Sequence, residues 1–371
     1  MRVLMTGGGT GGHVNPALAI ANTIKENMPD AVIEYVGTSR GIENRLVERA
    51  GYKMHHVEIR GIKRSLSPSN VKTLYYILTA PGKAKKLIKE FKPDIVIGTG
   101  GYVCWPVVKA ASDLGVKTAL HESNAVPGVA VKALASKVDR IYVNFEATAK
   151  EFENSDKVIH VGNPLMSQFS KADKAEARAK LGIPDTAKYV LLSYGGSLGA
   201  EKINEAMLSF MKNVVKDHPE IYHIHATGSS SYEKVKERFS VEGLDSCANI
   251  DLEEYVYDMP LRMASSDVVV CRAGAMTVSE LSLSGKCAVF IPSPNVTNNH
   301  QYKNAKVLAD AGAAYLFEEP ELDGHFEERL SYLLSEEGDA ERYGMETAIT
   351  SFAVPDANRR IYEDILKLTA K

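Results

Sequence analysis

Two glycine-rich turns, each set between an apolar run and a helical pattern, constrain this chain more than any other feature. The first spans residues 7–13 (GGGTGGH) after the apolar residues 3–5, and the second spans residues 195–200 (GGSLGA) after residues 189–194. Glycines let the backbone approach a ligand closely, and the helix that follows offers its N–H groups and positive dipole end to an anion. The sequence therefore predicts two α/β halves, each with a phosphate-handling turn.

Length and composition narrow the class of protein. At 371 residues the chain exceeds one compact core, so two domains are expected. A net charge of −3 argues against a nucleic-acid partner. The four cysteines lack metal-site or disulfide spacing, so neither a zinc site nor a disulfide framework is expected. No cofactor is expected either. No apolar run reaches the roughly 18 residues that cross a bilayer. Reduced cysteines and a strand at the very start of the sequence predict a cytoplasmic location.

Short apolar runs alternate with amphipathic stretches in both halves, which is typical of parallel sheets with helices on both faces. The predicted strands cover residues 3–5, 32–36, 95–97, 118–120, 141–143, 190–193, 222–226, 268–271 and 288–291, and predicted helices include 203–215, 277–284 and 358–368. Ligands of such sheets bind beyond the carboxyl ends of the strands. The loops at 98–102, 121–124, 272–277 and 292–294 would join the two glycine turns at those ends.

Each glycine turn also has a rival interpretation. Residues 7–12 match the dinucleotide fingerprint, but the second strand ends without the acidic residue that holds a ribose, since Glu34 lies inside it. Residues 195–199 match the G-x-S-x-G nucleophile elbow of serine hydrolases. The hydrolase interpretation gives no function to the first half of the chain. It also needs an acid and then a histidine at later strand ends, but Asp267 lies before a strand, and His300 follows a strand with no evident acid.

Two ionisable residues stand at the predicted rim. His13 directly follows the first turn, where a pKa near 6.5 suits proton transfer, although a helix-start histidine can also pack or cap. Glu280 lies in the first turns of the helix after Gly274. It is either a carboxylate that is stabilised by the positive end of the helix dipole or a bidentate acceptor for two vicinal sugar hydroxyls.

A basic segment interrupts the otherwise mildly acidic chain. Residues 53–92 carry ten Lys or Arg against two acidic residues, around the apolar and aromatic residues 74–78 (LYYIL). Such a segment is either a solvated helix face over ordinary core or an attachment surface for an anionic membrane.

The motifs together resemble one family. GGGTGGH, GTGGY, HESNAVPG, VGNP, GGSLGA, CRAGAMTVSE and NNHQYKNA occur in this order between residue 3 and about residue 310. This series is similar to the MurG family of peptidoglycan N-acetylglucosaminyltransferases. The resemblance implies an α/β GT-B fold, in which two Rossmann-like parallel-sheet domains face each other across a cleft. It also implies inverting transfer of GlcNAc from UDP-GlcNAc to the 4-hydroxyl of MurNAc-pentapeptide on undecaprenyl diphosphate.

The resemblance further implies a role for each domain. Residues 1–163 with a returning helix at about 351–371 would bind the acceptor and the membrane, and residues 164–350 would bind the donor. The protein would be peripheral, at the cytoplasmic face of the cell membrane. His13 would be the catalytic base or would orient the acceptor. The implied donor-site residues are Thr10, Gly11, Gly12, Asn124, Ser197, Val256, Ala275, Met276, Thr277, Glu280, His300 and Gln301, and the implied acceptor-site residues are Gly8, Gly9, Gly100, Gly101 and Tyr102.

The sequence departs from the family pattern after the Gly-Asn-Pro motif. Many relatives carry an arginine two residues on, whereas this chain has Met166 there, and His300 stands where some relatives have glutamine. The departure leaves the diphosphate charge to helix dipoles, loop N–H groups or another cation. A UDP-GlcNAc epimerase, another GT-B glycolipid synthase and a non-catalytic nucleotide-sugar-binding subunit remain the alternatives.

Overall fold

The computed structural model describes residues 1–60, 69–153, 155–165, 169 and 173–370. Within it the chain divides into two compact units. The first unit comprises Met1–Leu165 and Val354–Lys371, and the second comprises Met166–Ala353.

The first unit is built on a seven-stranded parallel sheet in the order β3-β2-β1-β4-β5-β6-β7. Its strands are β1 (Arg2–Thr6), β2 (Val32–Gly37), β3 (Lys53–His56), β4 (Ile95–Gly98), β5 (Lys117–Glu122), β6 (Arg140–Val143) and β7 (Val158–His160). The helices between them are α1 (Gly11–Asn27), α2 (Glu43–Arg49), α3 (Ser69–Phe91), α4 (Cys104–Asp113) and α5 (Val129–Leu134). The central strands are buried on both faces, as parallel strands covered by helices are.

The second unit repeats this scheme with a six-stranded parallel sheet in the order β10-β9-β8-β11-β12-β13. Its strands are β8 (Tyr189–Tyr194), β9 (Ile221–Ala226), β10 (Ile250–Glu253), β11 (Val268–Cys271), β12 (Cys287–Phe290) and β13 (Ala314–Leu316). Its helices are α6 (Lys174–Lys180), α7 (Glu201–Asn213), α8 (Tyr232–Val241), α9 (Met259–Ser265), α10 (Ala275–Ser284), α11 (His300–Ala309), α12 (Gly324–Leu333) and α13 (Asp339–Thr350). In both sheets the first strand of the unit lies near the middle of the sheet. The turn that follows it therefore lies near the middle of the edge formed by the carboxyl ends of the strands.

The last helix, α14 (Ala357–Thr369), packs in the first unit. Ile361 and Ile365 are fully buried in the same core as residues of β1 and α1. A polar contact fixes the helix as well, because the Asp364 carboxylate accepts hydrogen bonds from Tyr142 Oη at 2.9 Å and Arg140 Nε at 3.1 Å. Burial and the nearby Asp364 charge raise the pKa of Tyr142, so the phenol keeps its proton and remains a donor.

The α/β class and all nine predicted strands are confirmed, within one or two residues at each end. Four strands were not predicted, namely β3, β7, β10 and β13. These are the outer strands of the two sheets. Each is only three or four residues long, and most of their side chains are partly exposed, so their apolar patterns are short or interrupted.

No helix among the described residues has the length and apolar character to cross a bilayer. The four cysteines all fall in the described ranges and are free thiols. Cys104, Cys271 and Cys287 are buried, and Cys247 is partly exposed.

Candidate active-site loops

The first glycine turn leaves the carboxyl end of β1 and packs tightly on its neighbours. Gly9 has a φ of +86°, which favours glycine, and a Cβ on Gly7 would lie 2.3 Å from Thr99 Oγ1. The Gly8 N–H donates to the Gly100 carbonyl at 3.3 Å. The turn is therefore held against the loop that follows β4.

The loop after β4 carries the other predicted acceptor residues. Gly100 and Gly101 both have positive φ, at +108° and +81°, and a Cβ on Gly101 would lie 2.2 Å from the Gly8 carbonyl oxygen. Tyr102 follows with 62% of its surface exposed. The structure thus brings the predicted acceptor residues together at one place on the first sheet, with an exposed aromatic ring beside them.

His13 lies in the first turn of α1, with its ring over Gly100. Its Nδ1 is 3.0 Å from the Gly8 carbonyl oxygen and 3.3 Å from Thr10 Oγ1. A carbonyl oxygen only accepts hydrogen bonds, so Nδ1 carries the proton in the neutral ring and Nε2 carries the lone pair. A Cβ on Gly100 would lie 3.0 Å from Nε2, which shows how closely the ring covers this glycine. The Thr99 hydroxyl donates to the His13 carbonyl at 2.6 Å and holds the backbone of this residue.

Glu43, which the sequence analysis did not select, lies fully buried beneath the first turn. Its carboxylate accepts hydrogen bonds from the Gly9 N–H at 3.1 Å, the Thr38 N–H at 3.0 Å and the Thr38 hydroxyl at 2.8 Å. Burial alone would raise the pKa of Glu43, but these hydrogen bonds outweigh it and the net pKa lies below its ordinary value. Glu43 is therefore an ionised carboxylate in contact with the turn.

A second buried carboxylate shapes the loop that contains Asn124. Glu122 is 4% exposed and accepts hydrogen bonds from the Asn124 backbone N–H at 2.9 Å, from the Asn124 side-chain amide at 3.0 Å and from the Gly128 N–H at 2.8 Å. The Asn124 side chain is thereby oriented from behind. A carboxylate that directly follows a buried strand is the sequence signal for such a group.

In the second unit, the turn after β8 packs against the loop after β9. Gly196 and Gly199 have φ of +99° and +89°, and a Cβ on Gly199 would lie 2.1 Å from the Thr227 carbonyl oxygen. The Ser197 carbonyl accepts from the Ser229 N–H at 3.2 Å. Among the described residues, the Ser197 hydroxyl makes no hydrogen bond with a histidine, as a nucleophile elbow would require.

Helix α10 begins at the carboxyl end of β11 and carries four predicted donor-site residues. Gly274 at its N-cap contributes no side chain, and the first turn contains no acidic residue. Ala275 and Met276 are buried and Thr277 is half-buried. Glu280 lies three residues after Thr277 and so shares its face of the helix. The helix ends at Gly285, whose φ of +60° suits a left-handed cap.

The Glu280 side chain is half-buried, and its carboxylate has no hydrogen bond or ion pair with the described residues. Burial raises the pKa of Glu280 to about 7. A carboxylate held in this way is a strong acceptor for donors that a ligand could supply. The role of Glu280 as an acceptor for sugar hydroxyls stays a prediction.

The start of α11 orients Gln301. Asn298 and Asn299, just before the helix, are both left-handed, with φ of +57° and +51°. The Ser293 N–H donates to Gln301 Oε1 at 2.9 Å, which fixes the side-chain amide so that its NH₂ group points away from Ser293. His300 precedes Gln301 at the first position of the helix.

Val256 follows β10, with its side chain 5% exposed, so a ligand would reach its backbone rather than its side chain. The rings of Tyr255 and Tyr257 flank it and meet edge to face, with centroids 4.8 Å apart. Tyr257 is 72% exposed.

Arg272, between β11 and α10, is a further cation near these loops. Its guanidinium donates to the Ile291 carbonyl at 3.0 Å and pairs with Glu319 at 2.5 Å.

Met166, which stands where many relatives have an arginine, lies outside the described residues. In the described ranges, no group of three His, Cys, Asp or Glu side chains is arranged to hold a metal ion.

The chain matches two domain families along most of its length. Residues 3–143 match the glycosyltransferase family 28 N-terminal domain, and residues 190–361 match the family 28 C-terminal domain. The first match covers β1 to β6 of the first sheet, and the second covers β8 to β13 and extends into α14.

Individual relatives agree with these matches. A protein from Caldanaerobacter subterraneus subsp. tengcongensis is 41% identical over 370 residues, which is 100% of both chains, and is named as a UDP-N-acetylglucosamine–N-acetylmuramyl-(pentapeptide) pyrophosphoryl-undecaprenol N-acetylglucosamine transferase. The crystal structure of Acinetobacter baumannii MurG superimposes with a TM-score of 0.74 at 28% identity, covering 99% of each chain. A UDP-GlcNAc 2-epimerase from Neisseria meningitidis shares the fold at 17% identity, with a TM-score of 0.67 over 99% of this chain and 100% of the epimerase.

Two parallel-sheet units with glycine turns at their strand ends are typical of the GT-B fold, and the two family 28 domains make the protein a glycosyltransferase. The epimerase shows that this fold alone does not separate transferases from epimerases. The identity over the full chain does separate them, and the chain belongs to the MurG family within glycosyltransferase family 28. The dinucleotide and hydrolase interpretations of the glycine turns are thereby set aside.

The raised pKa of Glu280 predicts a measurable effect on stability. In the unfolded chain the carboxyl has its ordinary pKa of 4.5, whereas in the fold it is about 7. The fold thus favours the protonated form, and the contribution of Glu280 to stability falls as the pH rises from 4.5 through 7. We expect Glu280→Gln to raise the melting temperature of the ligand-free protein at pH 8.5 and to change it little at pH 5.

Thermal unfolding followed by circular dichroism at both pH values measures this difference. Glu237→Gln, which neutralises an exposed carboxylate on α8, is the matched control and should leave the melting temperature unchanged at both pH values. A melting temperature of Glu280→Gln below that of the unaltered protein at pH 8.5 would contradict the prediction.

Proposed function

We propose that this protein transfers GlcNAc from UDP-GlcNAc to the 4-hydroxyl of MurNAc-pentapeptide on undecaprenyl diphosphate, with inversion at the anomeric carbon. The observation that carries the proposal is the 41% identity over the whole chain to a relative named for this reaction. The products would be the disaccharide-linked lipid and UDP. Peptidoglycan synthesis is the process to which this reaction belongs.

The second unit would bind the donor. In the ionised state, the Glu280 carboxylate would accept hydrogen bonds from the two ribose hydroxyls, because it lacks donors of its own within the described residues. The N-terminal turn of α10 and the glycine turn around Ser197 would hold the diphosphate. The backbone at Val256 would contact the uracil. The NH₂ group of Gln301, with His300 beside it, would donate to the hydroxyls of GlcNAc.

The first unit would bind the acceptor. Gly8, Gly9, Gly100 and Gly101 would lie against it, with the exposed ring of Tyr102 at the edge. Thr10, Gly11, Gly12 and Asn124 would reach the GlcNAc of the donor from this unit. Nothing in these roles requires a metal ion or another cofactor, and we propose that the reaction uses none.

The reaction would be a single displacement. His13 Nε2 would take the proton of the MurNAc 4-hydroxyl while the hydroxyl oxygen forms a bond to the anomeric carbon of GlcNAc. The bond from that carbon to the UDP oxygen breaks, and UDP leaves with the electron pair. Backbone N–H groups at a helix start can stabilise the leaving diphosphate, and removal of one such donor in other enzymes lowers the rate by about 10²–10³.

Helix α3 is the proposed membrane contact. Leu74, Tyr75 and Leu78 are 57%, 60% and 73% exposed on this helix. Lys83 and Lys89, further along, make no ion pair with the described residues, whereas Lys85 pairs with Asp113 at 3.0 Å. Apolar side chains with adjacent unpaired lysines are typical of an interfacial helix that contacts anionic lipid. Lys63 and Arg64 of the predicted basic segment lie outside the described residues. The protein would accordingly be peripheral, on the cytoplasmic face of the membrane.

The proposed reaction can be tested with labelled UDP-GlcNAc, with and without a lipid-linked MurNAc-pentapeptide acceptor. We expect label to enter the lipid and UDP to form only when the acceptor is present. Conversion of UDP-GlcNAc to an epimer without acceptor would contradict the proposal. Binding of UDP-GlcNAc with no turnover on this acceptor would contradict it as well.

The role of His13 can be tested by substitution. We expect His13→Ala to lower kcat by about 10²–10⁴, the usual range for loss of a general base. The affinity for UDP, measured by calorimetry, should stay within twofold, since His13 lies in the first unit. Glu280→Ala is the contrasting variant, because it should weaken UDP binding. Near-normal turnover of His13→Ala would rule out the role of base.

The membrane contact can be tested by sedimentation with vesicles. We expect the protein to bind vesicles that contain phosphatidylglycerol. Binding should weaken in 0.5 M salt, because dissolved ions screen the lysine charges beyond a distance of about 3–10 Å. Leu78→Gln should weaken it further. Val241→Gln, at an 83% exposed apolar residue of the second unit, is the matched control and should bind normally. Equal binding to phosphatidylcholine vesicles at high salt would contradict the electrostatic contribution.

A further inference from the structure

The Gly8–Gly9 peptide group is in contact with two side chains that matter for proton transfer. Its N–H, on Gly9, donates to the Glu43 carboxylate at 3.1 Å. Its C=O, on Gly8, accepts from His13 Nδ1 at 3.0 Å. The N–H and the C=O belong to one planar unit and point in opposite directions. Glu43 and His13 therefore lie at opposite edges of the same peptide group.

We propose that Glu43 is a positioning residue that acts on His13 through the Gly8–Gly9 peptide group. The proposal rests on the proposed function only in taking His13 as the base. The linkage runs from the carboxylate to the Gly9 N–H and from the Gly8 carbonyl to the His13 Nδ1–H. A hydrogen bond to a charged acceptor polarises a peptide group, and its carbonyl then accepts more strongly. The linkage holds the ring in the tautomer with its lone pair on Nε2 and stabilises the protonated ring.

The surroundings leave this peptide group little freedom to turn. A Cβ on Gly8 would lie 2.7 Å from Glu43 Oε1, and a Cβ on Gly101 would lie 2.2 Å from the Gly8 carbonyl oxygen. The Gly8 N–H is also fixed, by its hydrogen bond to Gly100. Rotation of the peptide would break the bonds to Glu43 and His13 together. The carboxylate is thus one of the contacts that fix the direction of the carbonyl, and it is the one that carries a charge.

Two further ionisable groups near the turn, Tyr35 and Cys104, keep their protons at neutral pH because burial raises the pKa of each. Tyr35, from β2, donates its hydroxyl to the Gly7 carbonyl at 2.9 Å, and burial raises its pKa well above 10. Burial raises the pKa of Cys104, at the start of α4, to about 12. Glu122, from β5, acts electrostatically on Cys104 and binds the Asn124 loop. The Glu43 carboxylate differs from these groups because it is hydrogen-bonded directly to the Gly8–Gly9 peptide group.

The direct test is the titration of the His13 ring, followed by NMR on protein labelled at its ten histidines, with His13→Gln used for assignment. We expect Glu43→Gln to move the His13 titration to lower pH by about half a unit. This is less than the 1–3 units of a direct ion pair, because the effect is relayed through the peptide. We also expect kcat to fall by about 10–100-fold, the range seen when an outer partner that orients a histidine is removed.

Thr38→Val is the matched control. It removes the hydroxyl that donates to the same carboxylate at 2.8 Å but leaves Glu43 and its bond to Gly9 in place. We expect this variant to lose some stability and to keep the His13 titration and kcat. Glu43→Asp, which keeps the charge but shortens the side chain, is the second variant in case Glu43→Gln does not fold. It should show a partial shift.

An unshifted His13 titration in folded Glu43→Gln would overturn the proposal, and so would an equal shift in Thr38→Val. A shifted titration with unchanged kcat would overturn the positioning role of Glu43 in the reaction, whereas the role of His13 as base is tested separately by His13→Ala. Because the titration is measured without substrate, failure of the linkage and failure of the proposed reaction are distinguishable.

Discussion

Contact between backbone segments that leaves no room for a side chain is the constraint on which both sets of loops depend. In the first unit a Cβ on Gly101 would lie only 2.2 Å from the Gly8 carbonyl oxygen. In the second unit the Thr227 carbonyl lies 2.1 Å from the position of a Cβ on Gly199. Each unit thus locks the turn of its central strand to the loop of a neighbouring strand. The glycines serve this packing as much as they serve the approach of a ligand.

The central strands of both sheets can be predicted from the sequence because they are buried. Inner strands such as β4 and β11 are buried on both faces and are runs of apolar residues. The outer strands are different, since β3 reads Lys-Met-His-His and β10 reads Ile-Asp-Leu-Glu. Their pairing is set by backbone hydrogen bonds to a neighbour rather than by side-chain burial. Residue patterns therefore predict the centre of each sheet but not its edges.

The same distinction applies to the candidate site. His13 could be selected because it directly follows a glycine turn, and Glu280 because it lies in the first turns of the helix after Gly274. Glu43 could not, because it comes from α2, about 30 residues after the turn that it contacts, and its role depends on three hydrogen bonds formed only in the fold. Sequence motifs locate the groups that would touch a ligand, whereas the groups that hold them are contributed by packing.

The two units treat their buried carboxylates in opposite ways, and the difference is physically informative. Glu43 has its hydrogen-bond donors supplied by the protein, so its pKa is lowered and the turn above it is already ordered. Glu280 has none within the described residues, so its pKa is raised to about 7 and its charged form is unfavourable until donors arrive. A carboxylate of the first kind stabilises the folded site, while one of the second kind gains stabilisation only from a ligand. The first unit is therefore ordered in advance around His13. The second unit keeps an unsatisfied acceptor, and two sugar hydroxyls would satisfy it.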